Sequence, residues 1–153
     1  MNSLPARIPA FRPATAADWG AIEAMLSDAR LPLDGAREHL DSFIVGELDG
    51  AIVCAGALEH YGATALLRSV VVSATRRGGG TGGLLFDALK AIARSRGIAK
   101  LYLLTTTAAA FFARRGFTES TRVEVPPALH ASREFQGACP ASATLMSMSL
   151  TTD

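Results

Sequence analysis

Five glycines and one threonine fill the six positions Gly78 to Gly83, and no other stretch of this 153-residue chain restricts its fold as strongly. Before them, Leu66 to Val72 is aliphatic and β-branched, too short for a helix of its own and suited to a buried strand. After them, Leu84, Leu85, Ala88, Leu89, Ile92 and Ala93 recur at helical spacing, while Asp87, Lys90 and Arg94 take the other face. The glycines therefore occupy a strand-to-helix turn. The first N–H groups of such a helix lack intrahelical partners and carry about half a positive charge, so they accept an anion without a basic pocket. Glycine removes the Cβ atoms that would keep a diphosphate away and permits positive φ. The alternative is an unusually loose loop, but so many glycines cost conformational entropy that only a ligand would offset.

Three nucleotide motifs compete for this turn. The P-loop needs Gly-Lys before Ser or Thr, and no lysine occurs before Lys90. Gly78, Gly80 and Gly83 satisfy G-x-G-x-x-G, but a dinucleotide fold also wants an acidic residue at the end of the next strand, and none occurs between Asp87 and Glu119. Arg77-Gly78-Gly79-Gly80-Thr81-Gly82 matches the pattern Arg/Gln-x-x-Gly-x-Gly/Ala. With it the chain resembles the GNAT acetyltransferases, and Ala108 to Phe117, ending in Gly-Phe, looks like that superfamily's short helix. The resemblance implies acetyl-CoA as co-substrate, with Arg77, Gly78, Gly79, Gly80, Thr81, Gly82 and Gly83 around its pyrophosphate. It further implies that Val70, Val71 and Val72 pair through their backbone with the pantetheine arm, and that one of their N–H groups faces the thioester oxygen. Two positions depart from the pattern: Thr105 stands where many relatives have a pantetheine-touching asparagine, and Phe112 where a tyrosine often protonates the thiolate.

At 49% hydrophobic residues the chain reads as one domain, 1–153, able to bury a core without disulfides or a structural metal. A formal charge of +1 with 19% charged residues leaves no electrostatic footprint for nucleic acid or an anionic membrane. Cys54 and Cys139 lie outside any metal-ligand spacing, which predicts free thiols in a reducing cytoplasm and no metal. Met1 to Phe11 has no apolar run of the kind a secretory signal needs, and Leu66 to Val72 is far below membrane-spanning length. A cytoplasmic protein is the expectation.

Along the chain, Phe11 to Ala14 predicts an opening strand, and Thr15 to Asp18 a capped helix start with Trp19, Ile22 and Leu26 on one face. A short helix over Asp34 to Leu40 follows. Asp49-Gly50 between Ser42–Leu48 and Ala51–Glu59 is a two-residue hairpin signal, and Tyr61-Gly62-Ala63 turns the chain into Ala65–Val72. The helix Gly83–Arg96 leads to strand Ile98–Thr106, returning parallel to Leu66–Val72 through a right-handed crossover. Then come a helix Ala108–Arg115, a strand Phe117–Val125, a helix from Pro126-Pro127 to Phe135, and a strand Ala143–Leu150. This order describes an α/β (α+β) fold, the GNAT fold by resemblance: a mixed, mostly antiparallel sheet with helices on both faces. Pairing of the last strands between subunits offers a route to a homodimer.

Acetyl transfer to an amine needs a neutral amine, a polarised carbonyl and a departing thiolate. A backbone N–H near Val70 or Val71 serves the second need, and a thiol of pKa about 8.5 leaves with water or a hydroxyl such as Thr105 or Thr106 as proton source. For the first, Glu59, His60 and Tyr61 end the neighbouring strand, and Arg68-Ser69 interrupts an apolar one. Each has an ordinary reading: Glu59 and Arg68 as a cross-strand ion pair at a solvated edge, His60 as an exposed histidine, Tyr61 as cover for the sheet end. Arg68 between Leu67 and the valines is costly unless it meets water, a carboxylate or a ligand, which marks it as an anchor for an acceptor's carboxylate. Glu59 is the residue expected to take or relay the ammonium proton.

The tail segments Glu124-Val125-Pro126-Pro127, Arg133-Glu134-Phe135 and Cys139-Pro140-Ala141-Ser142-Ala143 look like small bacterial GNATs labelled arsenic-resistance N-acetyltransferases, as do Leu66 to Ser69 and Tyr102 to Thr107. The chain is also distantly similar to the acetylating domain of N-acetylglutamate synthases, which implies an amino-acid-like acceptor. Cys139 reads as a packed core residue, because an arsenite site wants two or three converging thiols. The leading expectation is an N-acetyltransferase acting on a small amine by direct attack in a ternary complex, with Pro126 to Ala143 walling the pocket. An acetyltransferase of protein N-termini or lysines, and a non-catalytic acyl-CoA sensor, are the rivals.

Overall fold

The computed structural model describes residues 8–139 and 142–150. Those residues build one seven-stranded sheet in the order β1-β2-β3-β4-β5-β7-β6. Its strands are β1 (Ala10–Pro13), β2 (Phe43–Leu48), β3 (Ala51–Tyr61), β4 (Thr64–Val72), β5 (Lys100–Thr105), β6 (Thr118–Glu119) and β7 (Thr144–Ser149). Every neighbouring pair is antiparallel except β4 and β5. The β2–β3 hairpin turns on Asp49 and Gly50 at φ 54° and 77°, the twist a two-residue turn needs.

Helices α1 (Trp19–Asp28), α2 (Thr81–Ser95) and α3 (Ala109–Ala113) cover both faces. On one face, Leu85, Phe86, Leu89 and Ala93 of α2 are fully buried against β3 and β4, and Phe112 of α3 joins them. Each of the leucine and phenylalanine side chains contributes about 1.5–3 kcal/mol by leaving water. On the other face, Ile22 and Leu26 of α1 pack on Phe43, Val45, Ala55, Ala57 and Val71. The remainder of that face is covered by the tail between β6 and β7, where Val125 and Leu129 meet Leu66, Tyr102 and Leu145. No helix among the described residues is long and apolar enough to cross a membrane.

Several expected elements change at their ends or in kind. The expected helix over 34–40 is a 3-10 turn, Arg37–Ser42, displaced past Gly35, whose φ of 75° breaks helical geometry. The expected strand Phe117–Val125 pairs only at Thr118 and Glu119 before a 3-10 turn, Arg122–Glu124, takes the chain off the sheet edge. The expected tail helix is two short pieces: a 3-10 turn, Pro127–Ala131, and a π-type turn, Glu134–Ala138, separated by the extended backbone of Ser132. Burial decides this: the segment anchors through single side chains, Val125, Leu129, Ser132 and Glu134, without a continuous helical stripe. Helix α2 starts two residues earlier than expected, at Thr81, and α3 is shorter than expected.

The chain enters α1 through a 3-10 turn, Ala16–Asp18, closed by a capping box. The Thr15 N–H donates to Asp18 Oδ2 at 2.7 Å, and the Arg12 guanidinium grips both Asp18 oxygens at 2.7 and 3.0 Å. The Arg12 hydrogen bonds outweigh burial and lower the Asp18 carboxyl to about 2. A lowered folded value means stability that is complete above the ordinary carboxylate range and lost as pH falls toward 2. Asp18→Asn is expected to cost about 1 kcal/mol at neutral pH in urea unfolding, the usual scale of a lost helix cap, with the gap to the parent chain closing below about pH 4.

Candidate active site

One extra residue in β4 creates the site. Arg68 pairs with Ala57 and Val71 with Ala55, so Ser69 and Val70 together face Gly56, and Ser69 takes a left-handed φ of 58°. Such a bulge kinks a strand and reverses which side chains face which side of the sheet. Leu67, Val70 and Val72 accordingly point toward α2, while Leu66, Arg68 and Val71 point toward the α1 and tail face. The β4–β5 ladder runs from Thr64↔Lys100 only to Leu66↔Tyr102, after which the parallel strands part.

A cleft of about 540 Å³ fills the wedge, lined by Leu67 to Val72 on one side and Leu103 to Ala108 on the other. The β5-facing backbone of Val70, Val71 and Val72 has no ladder partner in it. Arg77 lines the outer end and donates from Nε to the Val72 carbonyl at 3.1 Å. Gly78 to Gly83 continue from Arg77 into α2 outside the lining proper. Gly78 and Gly80 both sit at φ 85°, and a Cβ on either would meet nothing within 4 Å, so the backbone there is open to a ligand. No side chain caps α2, and its first intrahelical bond is Leu84 N–H to the Gly80 carbonyl at 3.2 Å, which leaves the N–H groups of Thr81, Gly82 and Gly83 for an anion. Gly83 has a packing reason as well: a Cβ there would stand 2.7 Å from Arg115 Nη2. That guanidinium stacks 4.5 Å over Phe111 and adds a cation beside the turn that sequence reasoning had not found. The residues present fit a diphosphate-bearing ligand with an extended arm.

Thr105 and Phe112 both line the cleft. The Thr105 hydroxyl accepts from the Ala108 N–H at 2.9 Å, so it closes the start of α3. Phe112 is packed edge-on against Phe86, Phe111 and Phe117 and brings no proton donor.

The floor is charged. Arg68, fully buried in its side chain, donates from Nη1 to Glu59 Oε2 at 3.0 Å, from Nε to Ser69 Oγ at 3.1 Å, and from Nη2 to the Pro32 carbonyl at 3.3 Å. Its Nε also lies 3.4 Å from Oε2 of Glu134. The expected pairing of Glu59 with Arg68 at a solvated edge is thus a pairing with no solvent at all. Tyr61 donates to Glu59 Oε1 at 2.5 Å, and His39 Nε2 stands 3.9 Å from Oε2. Burial alone would raise the Glu59 carboxyl, but hydrogen bonds from Tyr61, Arg68 and Ser132 hold it below its ordinary value. Burial and the bond to Glu59 push the Tyr61 phenol well up, so it stays protonated. His60 is exposed and faces Arg96 at 3.2 Å, away from this cluster.

Of the two residues expected to act on the acceptor, Arg68 lines the cleft with its cation committed to two carboxylates, and Glu59 stands behind it, outside the lining and with both oxygens engaged. Glu134 and Cys139 line the cleft instead, with Ala29 to Pro32 opposite. Cys139 is therefore half-buried cleft wall rather than a packed core residue, its thiol beside Glu134 and pushed up to about 12 by burial and by that carboxylate's charge. Pro140 and Ala141 of its motif lie outside the described residues. Glu134 stood out in the sequence only within the Arg133-Glu134-Phe135 tail resemblance, with no role attached to it. Because Glu59 is held below its ordinary value, the stability it confers is complete above the ordinary carboxylate range and lost as pH falls through the lowered one. Glu59→Gln, which leaves a buried guanidinium undercompensated, is expected to cost about 3 kcal/mol in neutral urea unfolding, with the deficit shrinking on acidification.

Residues 39–119, just over half of the chain, match the family model described as an acetyltransferase (GNAT) domain. An amino-acid acetyltransferase of Haemophilus ducreyi is 31% identical over 107 residues, 66% of this chain and 24% of the relative. One of Pseudomonas fluorescens is 35% identical over 96 residues, 61% of this chain and 22% of the relative. The chain thus spans about a quarter of the length of these relatives. Among solved structures, N-acetylglutamate synthase from Neisseria gonorrhoeae, complexed with coenzyme A and N-acetyl-glutamate, shares the fold at a TM-score of 0.83 and 23% identity, covering 97% of this chain and 36% of that one. Rv2747 from Mycobacterium tuberculosis, in complex with CoA, aligns at a TM-score of 0.78 and 25% identity over 94% of this chain and 100% of that one.

Proposed function

The chain belongs to the GNAT acetyltransferase family, and from that premise we propose that it transfers an acetyl group from acetyl-CoA to the primary amine of a small, amino-acid-like acceptor. The observation that carries this reading is the wedge between β4 and β5, open along the backbone of Val70 to Val72 and ending in an uncapped glycine turn. The matched relatives are amino-acid acetyltransferases, and two structural neighbours were solved with CoA, which supports the acceptor class and the co-substrate.

In this reading Arg77, the glycines 78–80 and 82–83, and Thr81 hold the diphosphate, Val70 to Val72 align the pantetheine arm, and Thr105 and Phe112 shape the opposite wall. Bound acetyl-CoA supplies an activated acyl group: a new N–C bond forms as the C–S bond breaks, releasing thiol and one proton. A fixed backbone N–H at Val70 or Val71 stabilises the developing oxyanion without reorganisation. Transfer is by direct attack in a ternary complex, which needs no acyl-enzyme, and burial with the nearby Glu134 charge pushes the Cys139 thiol up, away from the nucleophilic thiolate form. The departing thiolate needs no acid from Phe112, since free thiols titrate near ~8.5.

The acceptor's own anionic group requires a cation that is still available. Arg68 is spent on Glu59 and Glu134, whereas Arg30, on the loop after α1, lines the cleft with an exposed guanidinium that has no partner among the described residues. We therefore assign Arg30 the anchoring role that the sequence suggested for Arg68.

Thiol release from acetyl-CoA, read against amino acids, phosphinate and arsenical amino acids, polyamines and peptides, is expected to single out an acidic small amine. Tight acetyl-CoA binding without turnover of any acceptor would identify a sensor instead. With the preferred acceptor, Arg30→Ala is expected to raise KM about tenfold or more with kcat little changed, the scale of one lost charge-assisted hydrogen bond.

A further inference from the structure

Glu134 is the acid–base group in the cleft that has not been used up. It enters from the tail and is 4% exposed. Its Oε2 faces Arg68 and its carboxylate lies beside the Cys139 thiol, while Oε1 is buried and has no hydrogen-bond partner among the described residues. A buried carboxylate oxygen without a protein donor calls for one from outside the chain, a water or a ligand. A primary ammonium brings three.

We propose that Glu134 Oε1 receives the proton of the acceptor's ammonium group, with Arg68 and Glu59 as the positioning pair that holds it. The assignment rests on the acetyl-transfer reading above and names its base. Proton transfer breaks one N–H bond and forms one O–H bond, freeing the nitrogen lone pair for attack on the acetyl carbon. The second nitrogen proton leaves with the thiol, and Glu134 returns the first to solvent through the cleft, so atoms and charge balance.

The electrostatics suit the task. Facing Glu134 are Arg68 from β4, Glu59 behind it on β3 with His39 alongside, and Cys139 from the tail, near Arg122. Arg30 and Arg77 are the other charged residues of the cleft lining. Burial raises the Glu134 carboxyl to about 7, the Glu59 charge adds to this, and Arg68 and the thiol pull it back. A base with this affinity is ionised just above neutrality yet still takes a proton from an ammonium, where Glu59, held low and fully engaged, does not. The pair Arg68–Glu59 is neutral as a unit, so ionised Glu134 leaves the floor with a net negative charge that favours an arriving cation.

The test is Glu134→Gln, assayed with the best acceptor across pH 6 to about 10 together with the parent chain. The parent is expected to show a kcat/KM limb rising through about 7. The variant should lose roughly 10²–10⁴-fold at neutral pH and lose that limb, its rate following only the amine's own ionisation. CoA affinity by calorimetry should stay within about twofold, since a base contributes to chemistry rather than to ground-state binding. Carbon-13 NMR of glutamate-labelled protein supplies a readout without turnover: one carboxyl titrating near 7 in the parent and missing in the variant. Glu134→Asp, which keeps the carboxyl, should keep the limb at a lower rate and covers the case in which the glutamine variant fails to fold. An active parent with an unchanged profile in Glu134→Gln, or no carboxyl titrating near neutrality, overturns the assignment alone. A parent that turns over no amine overturns the acetyl-transfer reading and this with it.

Discussion

The site exists because β4 carries one residue more than β3 opposite Gly56. That insertion puts Ser69 in the left-handed region, a conformation that costs a non-glycine residue about 1–2 kcal/mol, and it has two consequences. It rotates the second half of β4, so that Val71 joins the α1 face and Val70 and Val72 the α2 face. It also coincides with the parting of β4 from β5 after Leu66, so the sheet opens at its centre while remaining continuous at the Thr64 end and through β7.

Opening a sheet at its middle exposes a charged side chain to a dry environment, and the floor of the cleft shows how the fold handles that. A buried guanidinium is tolerated only when its charge is matched and its donors are used. Arg68 meets that demand with partners from four places in the chain: Glu59 on β3, Ser69 beside it, the Pro32 carbonyl after α1, and Glu134 in the tail. The two carboxylates are not equivalent. Glu59 collects hydrogen bonds from Arg68, Tyr61 and Ser132 and is locked as an anion, whereas Glu134 has one free oxygen and a carboxyl poised near neutrality. Two acids on one arginine, separated by how many donors each finds, divide positioning from proton transfer.

At the other end of the cleft the donors come from the backbone, with two guanidiniums beside them. The glycine turn places uncapped N–H groups beside the Arg77 and Arg115 guanidiniums, and the apolar stripe of α2 fixes the helix so that its N-terminus is aimed from the sheet. An uncapped helix N-terminus of this kind suits an anion through its free N–H groups and dipole.

The amino-acid sequence alone determined what depends on local order: the strand–glycine–helix unit, the Asp49-Gly50 hairpin and the capped turn before α1, because turn chemistry and periodicity act over a few residues; the family showed through the motif Arg77 to Gly82 by resemblance. It also marked Arg68 and Glu59 as a pair that needed an explanation. The broken tail between β6 and β7 was not legible, since its residues are held one at a time by distant partners and follow no period. Nor were the left-handed Ser69, the half-buried Cys139, the free guanidinium of Arg30 or the buried, half-satisfied Glu134. Only the tertiary structure decided that Glu134, 66 positions after Arg68 in the chain, shares its guanidinium with Glu59. A carboxyl's proton affinity is set by how much water it loses and how many donors it meets, and both are properties of the packed molecule.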